Sequence, residues 1–157
     1  MFLSLIIISL AILFYLYKTS KNDFFFQSKE DLEIARDLMI LQLENLGRSR
    51  KDINRFLLSY DWFCKNPERY DGSTIVRDLF DLKYKGFRLS TSSMWHDYDY
   101  IVNGANRNFI KNVKSNWQYF NDLLANGKGA HIERLIGLTI ISIGFVPIMW
   151  LKYNFKK

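Results

Sequence analysis

One cysteine, two prolines and two histidines are all that this chain of 157 residues carries of the types that build covalent, rigid or metal-bound structure. A lone Cys64 excludes an intrachain disulfide and leaves no cysteine-based zinc site. His96 and His131 supply too few ligands at their spacing for a transition-metal centre. No strand pair, internal repeat or low-complexity linker stands out, and the apolar residues recur at helical spacing, so the expected fold class is all-α. Charge is missing altogether from Met1 to Tyr17 and from Leu135 to Leu151.

Those two uncharged runs set the expected architecture. At about 1.5 Å per residue each would span about 26 Å as a helix, near the lower limit for crossing a bilayer. The first run has no basic stretch before it and no small-residue cleavage site, its only nearby positive charges being Lys18 and Lys21 beyond it. It therefore reads as a retained anchor rather than a signal peptide. Phe24, Phe25 and Phe26 just beyond would suit the headgroup layer. The second run follows Arg134 and precedes Lys152, Lys156 and Lys157, with Trp150 and Tyr153 at the far interface. Gly137 and Gly144 lie seven apart, on one helical face, and Pro147 would kink such a helix without forbidding it. The competing reading of this run is a buried C-terminal core helix. The expected organisation is an N-terminal transmembrane anchor (1–17), a helical juxtamembrane domain (18–134), a second transmembrane helix (135–151) and a basic tail (152–157). Lys18, Lys21, Lys128 and Arg134 draw the middle domain of this integral membrane protein to the cytoplasmic or interior side, against the pull of the C-terminal lysines.

All 16 acidic and 19 of the 22 basic residues lie in the middle region, a net of only +3. That balance is too mild for a nucleic-acid partner. The tract Arg48 to Lys51, and Lys111 and Lys114 near Trp117, read as solvated helix faces rather than phosphate contacts.

Within the region, Ser28 to Asp31 has the form of a helix-capping box, followed by Leu32, Ala35, Leu38, Met39, Leu43 and Leu46 at helical spacing and closed by Gly47. Ser49 to Asp52 repeats the start signal for a second helix through Ile53, Phe56, Leu57 and Tyr60, ended by Asn66-Pro67. Ser73 or Thr74 would cap a short helix through Ile75, Val76, Leu79 and Phe80. Asn106 to Asn126 reads as a longer helix with Phe109, Ile110, Val113, Trp117, Phe120 and Leu124 on one stripe. Between these lies Trp95-His96-Asp97-Tyr98-Asp99-Tyr100, set on a short helix by N-cap candidates in Ser90 to Ser93 and by Asn103-Gly104 at its end. His96, Asp99 and Tyr100 would share a side, and Asp97 would meet Tyr100 at i+3. An imidazole beside a carboxylate is the pair that general-base chemistry uses, because the carboxylate fixes the tautomer and raises ring basicity. A polar turn without chemistry carries the same residues.

His96-Asp97-Tyr98-Asp99-Tyr100 has the form His-Asp-x-x-Tyr, and some twenty residues on Lys114-Ser115-Asn116-Trp117-Gln118-Tyr119-Phe120 opens the body of a second helix. This pairing, from Ser90 to Gly129, resembles the two-helix core of phospholipase A2-like proteins, especially viral and phage-associated forms, in which Ala-Asp-x-x-Phe follows on the second helix. It also resembles small phage proteins with His-Asp-Tyr-x-Tyr in the same place. The resemblance implies His96 as the base that activates water on a lipid ester, Asp97 as ligand to a calcium ion, and Tyr100 as support for a second carboxylate that orients the histidine. Asn116 and Ser115 stand where Asp and Ala are expected, and an amide does not stabilise an imidazolium as a carboxylate does. A Gly-rich calcium loop is missing upstream, Tyr84 to Phe87 and Asp71-Gly72 being the candidates. The resemblance is thus to a degenerate form of the core.

The expected function is an anchored structural or assembly subunit of a membrane complex, phage-related by resemblance, with the bilayer and other membrane or virion proteins as partners and no cofactor. Trp62, Phe63, Tyr70, Trp95, Tyr98 and Trp117 are candidate docking aromatics, each of which can equally be core. The alternative is a calcium-dependent phospholipid acyl hydrolase.

Overall fold

The computed structural model describes residues 23–70 and 81–128. A 3-10 turn, Phe24–Phe26, leads into α1 (Lys29–Asn45) and α2 (Arg50–Lys65). After a second 3-10 turn, Pro67–Arg69, come β1 (Leu82–Tyr84), β2 (Phe87–Leu89), α3 (Thr91–Ile101), a third 3-10 turn, Ala105–Arg107, and α4 (Phe109–Ala125).

The helix boundaries follow from capping. Ser28 accepts a hydrogen bond from the Asp31 amide at the start of α1, and Ser49 and Asp52 form a reciprocal capping box at the start of α2. Gly47, at φ 68°, ends α1 in a left-handed turn in which the Arg48 amide donates to Leu43 and the Gly47 amide to Glu44. The chain reverses there, and the Tyr60 hydroxyl near the end of α2 donates to the Leu32 carbonyl near the start of α1 at 2.8 Å. Leu32, Ala35, Met39 and Leu43 of α1 bury against Phe56, Tyr60 and Phe63 of α2 in one apolar core.

The hairpin is absent from the sequence-based expectation of an all-α chain. Its strands are three residues each, paired Leu82 with Leu89, Lys83 with Arg88 and Tyr84 with Phe87. Lys85 and Gly86 both take positive φ, 47° and 88°, the two-residue turn whose twist suits a hairpin. Strands so short carry one alternation of side chains, too little to register as a period. The molecule remains mainly helical.

The N-terminal aromatics are core rather than headgroup residues. Phe24 and Phe25 are buried, their rings edge-on to each other and to Tyr60, and Phe25 also meets Phe63 and Tyr70. Only Phe26 of the three is exposed. The expectation of two transmembrane helices, and with it an integral membrane location, is corrected here. Among the described residues no helix is long and apolar enough to cross a membrane. The longest, α1 and α4, have 17 residues each, and α1 carries seven charged side chains (Lys29, Glu30, Asp31, Glu33, Arg36, Asp37 and Glu44). Residues 1–17 and 135–151, and the short helix expected at Ile75 to Phe80, lie outside the described residues.

Two buried carboxylates tie the elements together. Asp81, just before β1, accepts from the Thr91 amide at 2.7 Å and from the Thr91 hydroxyl, fixing the start of α3 beside the Ser90 N-cap. Asn126, at the end of α4, donates to Thr91 and Ser92. Burial holds the Asp81 carboxyl above its ordinary range, with the bonds from Thr91 opposing. Asp122 on α4 is the second: it accepts from Arg48 Nη2 at 2.7 Å and Arg55 Nη1 at 2.8 Å, and Arg55 reaches Asp99 on α3 at 2.9 Å. Both guanidinium groups lie over the ring of the fully buried Trp95, at 5.3 and 4.9 Å from its centroid.

Removing this second carboxylate takes away the buried partner that Arg48 and Arg55 share, leaving Arg55 only Asp99 and Arg48 only Asp52 at 3.5 Å. Asp122→Ala is expected to lower the unfolding free energy by ~3–5 kcal/mol in urea titrations, and a loss no larger than that of an ordinary surface substitution would contradict the assignment.

Candidate functional site

Helical spacing places His96 and Tyr100 of α3 one turn apart, and Asn112 and Asn116 of α4 likewise. The two pairs face each other across the helix contact. His96 Nε2 lies 2.8 Å from Asn116 Oδ1. The Tyr100 hydroxyl donates to the same oxygen at 3.1 Å, Asn116 Nδ2 donates to Asn112 Oδ1 at 2.9 Å, and Asn112 Nδ2 donates to the Tyr100 oxygen at 2.5 Å. Tyr100, Asn116 and Asn112 thus close a ring of hydrogen bonds in which each donates to the next. With its amide nitrogen engaged, Asn116 presents oxygen to the imidazole, so His96 carries its proton on Nε2 and leaves Nδ1 as the basic atom.

The rings of Tyr100 and Tyr119 lie 4.4 and 5.1 Å from the imidazole centroid. The His96 side chain keeps only 18% of its exposure. Burial pushes its pKa below the ordinary 6.5, while the bond to Asn116 pulls the other way. His96 is therefore neutral at neutral pH.

The structure brings together three of the four expected site residues, His96, Tyr100 and Asn116. Asp97 follows on the helix with its Oδ1 4.0 Å from His96 Nδ1, beyond hydrogen-bond range. Asp99 turns instead to Arg55 and Asn103. Among the described residues no three His, Cys, Asp or Glu side chains gather as a metal site. The candidate calcium loop at Tyr84 to Phe87 is the hairpin turn, and its Lys85 ammonium and Tyr84 hydroxyl are both committed to Asp31. A loop occupied by a lysine and bonded elsewhere does not fit a dication beside Asp97. Asp71-Gly72 and His131 lie outside the described residues.

Asn112 went unrecognised in the sequence, although its place four residues before Asn116 puts it on the same face. Arg48, read as solvated, is instead a partner of Asp122, and Lys111 donates to the Asn103 carbonyl. Of the candidate docking aromatics, Phe63, Tyr70 and Trp95 are buried, Trp62 and Tyr98 pack edge to face, and Trp117 is exposed. The cleft of about 610 Å³ next to the site is walled by Asp99, Asn103, Lys111, Lys114 and Ser115 and does not include His96.

Imidazole NMR should show the Nε2–H tautomer of His96 and a titration below 6.5. Because the unfolded chain binds the proton more readily, the His96 contribution to stability is complete above that ordinary value and falls as pH drops towards the folded pKa. His96→Gln should remove this part of the pH dependence. Asn116→Asp should raise the His96 pKa by about one unit or more; an unchanged titration would break the proposed coupling. No protein-family model, curated protein or solved structure matches the chain.

Proposed function

We propose that the protein is a structural or assembly subunit that uses a phospholipase A2-like helix pair as a scaffold and binds partner proteins without turning over a substrate. The observation that carries this reading is the amide at position 116. A base that takes a proton from water becomes an imidazolium, and a carboxylate stabilises that charge where a neutral amide does not. Asn116 is moreover engaged with Tyr100 and Asn112, so the network holds α3 against α4, while burial keeps His96 neutral. Ile34, Leu38 and Leu41 lie at i, i+4 and i+7 on α1 and are 42–54% exposed, an apolar strip that supports docking over turnover.

The second reading is a calcium-dependent acyl hydrolase. What favours it is the convergence of His96, Tyr100 and Asn116, with Nδ1 of the ring left as its basic atom. The unsuitability of Tyr84 to Phe87 for calcium weighs against it.

The two separate in a lipid assay. Full-length protein incubated with labelled phospholipid vesicles and calcium is expected to release no fatty acid above the protein-free blank. Release that requires both calcium and His96 would overturn the assembly reading in favour of the hydrolase.

A further inference from the structure

Two helices carry an exposed apolar strip, and they pack on different neighbours: α1 lies against α2 and β1, α4 against α3. On α4 the strip is Ile110, Val113, Trp117 and Leu124, 46–66% exposed, at i, i+3, i+7 and i+14. On α1 it is Ile34, Leu38 and Leu41, at i, i+4 and i+7. Spacings of three, four and seven are those of a seam along which one helix meets another.

The charges beside the two strips are opposite. Lys111 and Lys114 flank the strip of α4, whose only acid, Asp122, is turned inward to Arg48 and Arg55. Glu30, Asp37 and Glu44, seven apart and all exposed, flank the strip of α1. The two cations of that helix are engaged locally, Lys29 with Glu33 at 3.9 Å and Arg36 with Asp37 at 3.1 Å. At about 100° per residue, seen down each axis from its N-terminus, the lysines lie clockwise of the α4 strip and the acids anticlockwise of the α1 strip. Such rows face each other when the two helices run parallel. Glu30 to Glu44 and Ile110 to Leu124 each cover about 21 Å, so the lengths match as well.

We propose that α4 of one copy docks parallel on α1 of a second copy, Trp117 and its neighbours against Ile34, Leu38 and Leu41, with the lysine row meeting the acidic row. Opposite rows attract across this contact, whereas an antiparallel pairing of two α4 helices would set lysines beside lysines. Because the two surfaces differ, the contact is heterologous and repeats from copy to copy into a ring or a filament. This deepens the assembly reading and rests on it.

Sedimentation velocity of the full chain tests the contact. The wild type is expected to self-associate at micromolar concentration in low salt. A chain with Glu30→Lys, Asp37→Lys and Glu44→Lys, and a chain with Lys111→Glu and Lys114→Glu, should each associate ~10-fold more weakly or worse. Their equimolar mixture should restore association, since each offers the charge row that the other lacks. Trp117→Ser should weaken association with every charge in place. A monomeric wild type, weakening by the α4 substitutions with none from α1, or a mixture that associates no better than its components would each overturn the proposal. The fatty-acid assay reads the assembly reading separately: a monomer that releases no fatty acid overturns this contact alone, whereas calcium- and His96-dependent release overturns the reading beneath it.

Discussion

The fold depends on one buried carboxylate. Asp122 receives a guanidinium from the turn after α1 and another from α2, and Arg55 continues to Asp99 on α3. Both cations rest on Trp95, so a single cluster fixes α4, α2 and the rotation of α3 about its axis. Charges this far from water are tolerated only when paired and hydrogen-bonded, and here the carboxylate accepts from Gln118 as well. With Trp95 pinned among the cations, the next residue, about 100° around the helix, is His96. Its meeting with Asn116 is thus a consequence of an ion cluster elsewhere on the same two helices.

That arrangement also decides the chemistry available to His96. Two buried carboxylates among the described residues are committed away from it, Asp122 to two arginines and Asp81 to Thr91, and Asp97 Oδ1 stands 4.0 Å from the imidazole, beyond hydrogen-bond range. The group facing the imidazole is an amide closed into a ring with a phenol and a second amide. Burial favours a neutral imidazole against the opposing pull of the Asn116 oxygen, and a neutral imidazole with one proton on Nε2 satisfies the network as it stands. The helix pair has the electrostatics of a packed interior.

How much of this could be read from the sequence depended on the range of the interaction. The ends of α1, α2 and α3 were legible because Ser28, Ser49, Ser90 and the glycines act on residues three or four away. The convergence of His96, Tyr100 and Asn116 was also legible, from helical spacing and the resemblance together. Arg48 was not, because its partner lies 74 positions away and nothing local distinguishes a buried arginine from a solvated one. The hairpin was missed for want of strand length, and Phe24 and Phe25 were misplaced because aromatic residues next to an apolar run suit a membrane interface and a core equally well.

The most direct test of the account is a double-mutant cycle between Arg48→Met and Asp122→Leu in the full chain, followed by urea unfolding. Dependence of the fold on their pairing predicts a coupling energy of ~1.5 kcal/mol or more, with the double variant losing much less than the two single losses combined. Additive losses, with a coupling near zero, would contradict it.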